Sequence, residues 1–186
     1  MQTYEKYNQA LRLSHHGRHG EAIALLNPLI AINHKESIAL AGDLNFKIQN
    51  YEQAYQLALK TLDYDDNDIS ANAHVATLLY HGELGYVDKS KAFDYYLKAA
   101  NLGHVGCLAR VGNMLELGDG VEVDLEKARK YYRLAGEKGH IASKYLIATT
   151  YFRESKKFKG FYYMFRYLIP VWIAKWRKDH ERLLFY

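Results

Sequence analysis

Residues 82–104, GELGYVDKSKAFDYYLKAANLGH, and residues 118–140, GDGVEVDLEKARKYYRLAGEKGH, decide the fold because the second stretch repeats the first. At a shift of 36 positions, ten of the 23 residue pairs are identical. The match of Ala73 with Ala109 continues the register upstream. A fixed period of this length is typical of repeat architectures, in which each unit buries its apolar side against its neighbour.

Each unit contains the pattern of a helix with defined ends. Small and aromatic residues recur at i, i+3, i+4 and i+7, which is one face of an α-helix. These residues are Ala92, Tyr95, Tyr96 and Ala99 in the first unit and Ala128, Tyr131, Tyr132 and Ala135 in the second. Asp88 and Asp124 precede the two helices and suit the N-cap. Gly103 and Gly139 follow, where a left-handed C-cap residue is favoured.

These residues resemble the Sel1-like repeat (SLR), a longer-looped relative of the tetratricopeptide repeat (TPR). The unit at 112–139 carries most of the family pattern, namely Gly112, Gly118, Gly120, Val121, Asp124, Lys127, Ala128, Tyr131, Ala135 and Gly139. The unit at 76–103 departs from it, because Leu84 stands where the second loop glycine is usual. We expect an altered loop there and not a lost repeat.

The first 70 residues carry a tighter version of the same hairpin. The small residue of the first helix and the alanine of the second are 12 positions apart, which is the TPR spacing, whereas the later units have 16. The pairs are Ala10/Ala22 and Gly42/Ala54 in the tighter units, and Ala76/Ala92 and Gly112/Ala128 in the longer ones. Pro28 lies inside the second predicted helix and should kink or shorten it.

The expected fold is therefore all-α, a right-handed α-solenoid of stacked helix-turn-helix repeats with an aromatic C-terminal capping segment. We expect a single repeat domain over residues 1–186, with TPR-like units at 3–70, Sel1-like repeats at 71–153 and a basic, aromatic cap at 154–186. A last repeat helix is predicted at 141–153. Gly160 and Pro170 interrupt the following segment, so we expect a capping pair of helices there.

Composition excludes several classes of protein. With 49% hydrophobic residues and 2 prolines, the chain is not a disordered one. One cysteine cannot form an internal disulfide. We find neither the apolar core of a signal peptide nor a run of about 18 apolar residues, so a cytoplasmic protein is expected, with peripheral contact to the inner membrane as an option.

Charge is unevenly distributed along the chain. From Arg153 onward there are nine Lys and Arg against three Asp and Glu, whereas the preceding residues carry 16 basic and 18 acidic side chains. A basic tail on a slightly acidic body indicates either an anionic target or a solvated helix end.

Residues with catalytic or metal-binding potential do not form a recognisable site. The sequence has no HExxH, G-x-S-x-G or phosphate-loop motif. Cys107 is expected to be a small buried residue. His15 and His19 flank Gly17 in a turn, while His104 and His140 recur at the repeat period and should be structural. We predict no catalytic residue, no cofactor and no metal, and therefore no enzyme.

A partner would bind where the first helix of each hairpin, helix A, lines the concave side of the stack. The register predicts a face of aromatic and polar side chains, namely Tyr7, Leu11, Asp43, Phe46, Thr77, Tyr80, Asn113, Glu116, Tyr145, Thr149 and Phe152. This face lacks the Lys and Asn residues with which some TPR domains bind the carboxylate of a peptide. We therefore do not predict that it captures a C-terminal carboxylate. Tyr80 and Phe152 could instead contact the C-terminal segment.

The C-terminal segment allows three interpretations. Its apolar stripe, predicted at Phe161, Tyr162, Phe165, Leu168, Ile169, Trp172 and Trp176, suits a helix packed on the end of the stack, a helix on a membrane surface, or a partner-docking patch. Nucleic-acid binding is disfavoured because most upstream tyrosines fall on packing faces of the repeats.

The leading functional hypothesis is a non-catalytic module that binds a partner protein or peptide on the concave face. A second hypothesis, implied by resemblance to small SLR proteins, is a bacterial immunity or antitoxin protein that neutralises a toxin. A third is a membrane-surface assembly factor that acts through the C-terminal segment.

Overall fold

The structure is a computed structural model that describes residues 2–180, except for the side chains of residues 168, 170–172 and 174–180. Within the described residues there are ten α-helices and no strands, as predicted. The helices are α1 (Gln2–His15), α2 (His19–Ala31), α3 (Lys35–Lys47), α4 (Tyr51–Tyr64), α5 (Ile69–His81), α6 (Lys89–Asn101), α7 (Val105–Leu117), α8 (Leu125–Glu137), α9 (Ile141–Arg153) and α10 (Lys157–His180). The chain divides into two compact units, one ending at Cys107 and the other starting at Leu108. The prediction of one repeat domain stays a prediction.

The first unit is a row of helix hairpins. Each helix packs against the next one in sequence, and α3 also contacts α5, which places two helix A elements side by side. Ala10, Ala22 and Ala54 are fully buried. The built Cβ of an alanine at Gly42 would lie 3.5 Å from Leu57 Cβ. The small residues at the TPR spacing are therefore the positions where the two helices of a hairpin lie close together.

The two longer loops are closed in the same way despite their different sequences. Asp88 N donates to Leu79 O at 3.0 Å, and Asp124 N donates to Leu115 O at 2.9 Å. Each loop starts with a left-handed glycine, Gly82 or Gly118, both at φ +74°. The second left-handed glycine is Gly85 (φ +83°) in the first loop and Gly120 (φ +77°), the counterpart of Leu84, in the second. The first loop keeps its closure by moving its second glycine one position, so the expected altered loop is confirmed.

Helix ends also repeat from unit to unit. Asp88 Oδ1 accepts from Lys91 N and Asp124 Oδ1 accepts from Lys127 N, both at 2.9 Å, which confirms the predicted N-caps. Gly103 and Gly139 adopt φ values of +97° and +98°, which fits the predicted C-terminal turns.

Histidines cap the following helices. Cys107 N donates to His104 Nδ1 at 3.1 Å, and Ser143 N donates to His140 Nδ1 at 3.3 Å. The structural role predicted for His104 and His140 is therefore confirmed.

The second unit includes most of α7 together with α8, α9 and α10, and its packing depends on glycine. The built Cβ of an alanine at Gly112 in α7 would lie 2.7 Å from the ring of Tyr132, a fully buried residue of α8. In α10, the same atom at Gly160 would lie 2.8 Å from the ring of Phe152 in α9. Glycine at both positions lets a neighbouring aromatic ring contact the helix backbone.

The C-terminal segment differs from the sequence prediction. Residues 157–180 form one helix and not a pair. Gly160 does not break this helix, because it lies in the first turn and serves the contact with Phe152. Pro28 does not shorten α2 either, since that helix has 13 residues, as α3 and α5 have. Among the helices described over residues 2–180, none is both long enough and apolar enough to cross a bilayer.

Candidate functional site

The first unit carries six of the predicted partner-binding residues on its three helix A elements. They are Tyr7 and Leu11 on α1, Asp43 and Phe46 on α3, and Thr77 and Tyr80 on α5, and all six are half-buried. Half-burial is the state in which a side chain is held by its neighbours while still presenting surface to a partner. We call this set the helix-A face of the first unit.

The centre of this face is a cluster of Asp43, Phe46 and His74. The imidazole of His74 on α5 stacks on the ring of Phe46 at 4.1 Å between centroids and 15° between planes. Its Nδ1 lies 3.4 Å from Asp43 Oδ1. Tyr51 covers another edge of Phe46 at 6.0 Å. These contacts fix the ring of Phe46 and hold one carboxylate beside it.

The charges of this cluster follow from its burial. Burial raises the pKa of Asp43 to about 6, with repulsion from Asp68 adding to the effect and attraction by Lys47 opposing it. Burial lowers the pKa of His74 to about 4. At pH 7 the contact therefore joins a neutral imidazole to a charged carboxylate, so it is not an ion pair. Among the described residues, no Lys or Arg lies in ion-pair contact with the Asp43 carboxylate, although Lys47 attracts it from a distance.

Replacing Asp43 with asparagine is expected to raise the melting temperature at pH 7. The folded pKa of about 6 exceeds the reference value of 3.8, so the folded state binds the proton more tightly and loses stability as the pH rises through this range. The advantage of Asp43→Asn should therefore shrink below pH 6 and vanish near pH 4.

Thermal unfolding followed by circular dichroism between pH 7 and pH 4 measures this difference. His74 titrates in an overlapping range with the opposite sign, because its lowered pKa removes stability as the pH falls. Comparing the two proteins at each pH separates the contribution of Asp43 from that of His74. An advantage of Asp43→Asn that does not change with pH would contradict the assignment.

Tyr80 and Thr77 form the second part of this face. Tyr96 of α6 donates its hydroxyl to Thr77 Oγ1 at 3.1 Å, and its ring lies edge-on to that of Tyr80 at 6.2 Å. Lys89 Nζ lies 5.5 Å from the centroid of the Tyr80 ring. The α5–α6 hairpin therefore holds Tyr80 from two sides.

In the second unit, the predicted contact residue Glu116 is buried and its carboxylate already has partners within the chain. It is 4% exposed, and its carboxylate accepts from the Tyr132 hydroxyl at 2.7 Å and from Thr149 Oγ1 at 3.0 Å. Arg153 Nε lies 3.1 Å from the same carboxylate. Glu116 thus joins α7, α8 and α9, and Thr149 shares this network.

The remaining predicted residues of the second unit lie nearer the surface. Asn113 and Tyr145 are half-buried. Phe152 is edge-on to Phe161 of α10 at 5.2 Å and covers Gly160. The alternative in which Phe152 contacts the C-terminal segment is therefore what the structure shows.

Two residues of the described structure were not predicted. His74 stacks on Phe46, although it lies one position after Ala73 and outside the counted register. Arg129 is 2% exposed in α8 and donates to Glu154 Oε1 at 2.7 Å and to Thr150 Oγ1 at 3.2 Å. The sequence carried no signal for either residue, because each contacts residues that are distant along the chain.

Other residues considered for chemistry lie apart from this face. Cys107 is buried, as predicted. His15 ends α1 and His19 begins α2, with Gly17 at φ +74° between them. In the part of the chain that the structure describes, no three His, Cys, Asp or Glu side chains are grouped as a metal site would need.

Comparison with known proteins agrees with this geometry. The family model described as Sel1 repeat matches residues 69–104 and 106–140. No curated protein matches the chain. A Sel1 repeat protein from Oxalobacter formigenes has a similar structure, with 22% sequence identity and a TM-score of 0.64 over 80% of this chain and 63% of that one.

Two further solved structures share the fold. The protein c5321, a protective antigen of uropathogenic Escherichia coli with an SLR fold, has 16% identity and a TM-score of 0.71 over 87% of this chain and 37% of its own. YrrB, a TPR protein described as having an unusual peptide-binding site, has 18% identity and a TM-score of 0.65 over 86% of this chain and 81% of its own. The chain thus spans less than two thirds of the first two proteins.

Proposed function

Because the chain carries two Sel1 repeats in a fold of paired helices, we propose that it is a non-catalytic module that binds a partner protein on the helix-A face of its first unit. Repeat folds of the Sel1 and TPR kind are generally protein-interaction modules. The neighbour YrrB is described as having a peptide-binding site. Both points support a protein-binding function. The residues that we propose for it are those of the helix-A face.

The observation that carries this proposal is the cluster of Asp43, Phe46 and His74. Phe46 is a rigid aromatic anchor, because His74 and Tyr51 restrict its ring before any partner arrives. Little conformational entropy is then lost on binding. Asp43 presents a partly desolvated carboxylate at the same place. A partner segment that supplies a hydrogen-bond donor or a cation to Asp43 and an apolar side chain to Phe46 fits this chemistry.

Tyr80 on α5 and Tyr7 and Leu11 on α1 are further members of the proposed face of the first unit. For the second unit, taken by itself, Asn113, Tyr145 and Thr149 are proposed as contact residues. Glu116 is proposed to support binding only indirectly, because its carboxylate is already hydrogen-bonded to Tyr132 and Thr149 and paired with Arg153. A cytoplasmic location is proposed along with this function.

The test begins with affinity purification of the full chain from its native host and mass spectrometry of what it captures. The double variant Phe46→Ala, Tyr80→Ala should then bind the recovered partner at least about thirtyfold more weakly, since aromatic anchors each contribute about 2 kcal/mol or more to an interface. The identity of the partner distinguishes two hypotheses: a component of a cellular assembly supports an interaction module, whereas a toxin bound in a one-to-one complex supports an immunity or antitoxin protein.

A matched control lies on α6, the second helix of the hairpin that carries Tyr80. Phe93 and Tyr95 of α6 are half-buried like Phe46 and Tyr80. The variant Phe93→Ala, Tyr95→Ala should keep full affinity. Equal loss in both variants, or loss in the control alone, would refute the helix-A face as the binding surface.

A further inference from the structure

Helix α10 has two apolar faces. In the described residues one of them packs on α9, and the other is exposed apart from the edge contact of Phe161 with Phe152. Gly160, Tyr163, Met164 and Tyr167 recur at spacings of three and four residues and are buried or half-buried. On this face, Tyr163 stacks on Tyr151 of α9 at 5.1 Å. The capping contact predicted for the C-terminal segment is therefore present over α9, and it accounts for one side of the helix.

The opposite side is an exposed apolar stripe. Phe158, Phe161, Tyr162, Phe165, Ile169 and Ile173 are all exposed, and Phe158 is 93% exposed. Because an α-helix turns by about 100° per residue, these positions fall roughly opposite the face that packs on α9. From Phe158 to Ile173 the stripe runs for about 22 Å at 1.5 Å per residue. Leu168, Trp172 and Trp176, also predicted for this stripe, have side chains outside the described part of the structure.

Cations flank this stripe. Lys157 lies on one side of it, and Lys159 and Arg166 lie on the other, all three exposed. In the sequence, residues 157–178 contain six Lys or Arg and no Asp or Glu. By contrast, α8 mixes both signs, with Glu126 and Glu137 among its basic residues. A helix that only needed solubility would not require charge of a single sign.

We propose that α10 binds the surface of a bilayer containing anionic lipids, with its apolar stripe lying in the interface and its flanking cations on the lipid headgroups. Aromatic and aliphatic side chains on one face with Lys and Arg beside them are the composition of an interfacial helix. This contact is separate from the proposed helix-A face.

Charge and shape favour this occupant over two others. Pairing of α10 with a second copy of itself would bring basic flanks together, and residues 157–178 contain no carboxylate to neutralise them. Single-stranded nucleic acid would need cations among exposed aromatic rings, whereas Ile169 and Ile173 continue the stripe with side chains on which bases do not stack. A lipid surface accepts both kinds of apolar side chain.

The test is co-sedimentation of the full chain with vesicles of phosphatidylcholine alone or mixed with phosphatidylserine. Binding is expected to the mixed vesicles and to weaken with added salt. The variant Phe158→Ser, Phe165→Ser should reduce partitioning at least about tenfold, since both rings lose their apolar contact with lipid. Its matched control, Tyr4→Ser, Ile32→Ser, removes two exposed apolar side chains of the first unit and should change nothing.

A second pair of variants tests the charge. Lys157→Gln, Lys159→Gln should weaken binding to the mixed vesicles about thirtyfold, because each cation near an anionic surface contributes about 1 kcal/mol. Lys130→Gln, Lys138→Gln removes two exposed lysines of the α8 region and should not weaken it.

Four results would overturn the proposal: no binding to the mixed vesicles, binding that the stripe variant leaves unchanged, self-association abolished by that variant without vesicle binding, or binding of a single-stranded oligonucleotide in place of vesicles. Circular dichroism of every variant confirms that the fold is retained.

Discussion

Replacing Arg129 with leucine is expected to lower the free energy of unfolding of the second unit by about 3 kcal/mol. The guanidinium is 2% exposed and lies between Glu154, the residue that follows α9, and Glu126 of its own helix. It also lies 4.4 Å from the centroid of the Tyr151 ring, which stacks in turn on Tyr163 of α10. The substitution removes these contacts and leaves the Glu154 carboxylate without its main partner.

Conservative variants separate the charge from the geometry. Arg129→Lys keeps the charge but loses the planar guanidinium that contacts both Glu154 and Tyr151. We therefore expect its free energy of unfolding to fall by about half as much as that of Arg129→Leu. In Arg129→Leu, Glu154→Gln the second substitution removes the stranded carboxylate and should recover about 1 kcal/mol. Urea unfolding followed by circular dichroism measures all three. A leucine variant as stable as the wild type would show that Arg129 does not join α8, α9 and α10.

Replacing Gly112 with alanine is expected to destabilise the protein by about 2 kcal/mol, although alanine is the better helix former by about 1 kcal/mol. The new Cβ would meet the Tyr132 ring at 2.7 Å. That ring is fully buried, and its hydroxyl donates to Glu116 at 2.7 Å, so it cannot move aside without losing this hydrogen bond. The clash therefore outweighs the gain in helix propensity.

Gly42 provides the matched control, because it holds the equivalent position in a TPR-like hairpin. An alanine Cβ there would lie 3.5 Å from Leu57 Cβ, an ordinary contact. Gly42→Ala should consequently be neutral or stabilising by up to about 1 kcal/mol. Thermal and urea unfolding of the two variants side by side compare these effects. Equal changes at Gly42 and Gly112 would contradict the different packing described for the two hairpins.

The repeat architecture could be predicted because its determinants are local. The caps at Asp88 and Asp124 and the turns at Gly103 and Gly139 depend on residue type and on position within one helix end, so they are visible in the sequence. An altered loop at Leu84 was also expected, because the flanking residues kept their register, but the move of the left-handed glycine to Gly85 was not predicted.

Contacts between distant helices could not be predicted in this way. Arg129 occupies the repeat position of Phe93, and nothing in its neighbourhood of the sequence indicates that Glu154 and Tyr151 enclose it. Gly160 looked like a helix breaker, but its missing side chain makes room for Phe152. Both depend on how α9 and α10 approach, which a single sequence does not specify.

The candidate binding face was predictable in position but not in chemistry. Register placed Asp43 and Phe46 on one helix and Thr77 and Tyr80 on the next, and all four are half-buried. The stacking of His74 on Phe46 and the raised pKa of Asp43 require the burial that only the folded chain provides. Their role in binding stays a prediction.

Site-specific photocrosslinking to the captured partner tests this role most directly. A benzophenone amino acid at position 46 on α3 or position 80 on α5 should form covalent adducts with the partner. The same group at position 93 or 95 on α6 should not. Adducts from positions 93 and 95 alone would contradict binding at the helix-A face.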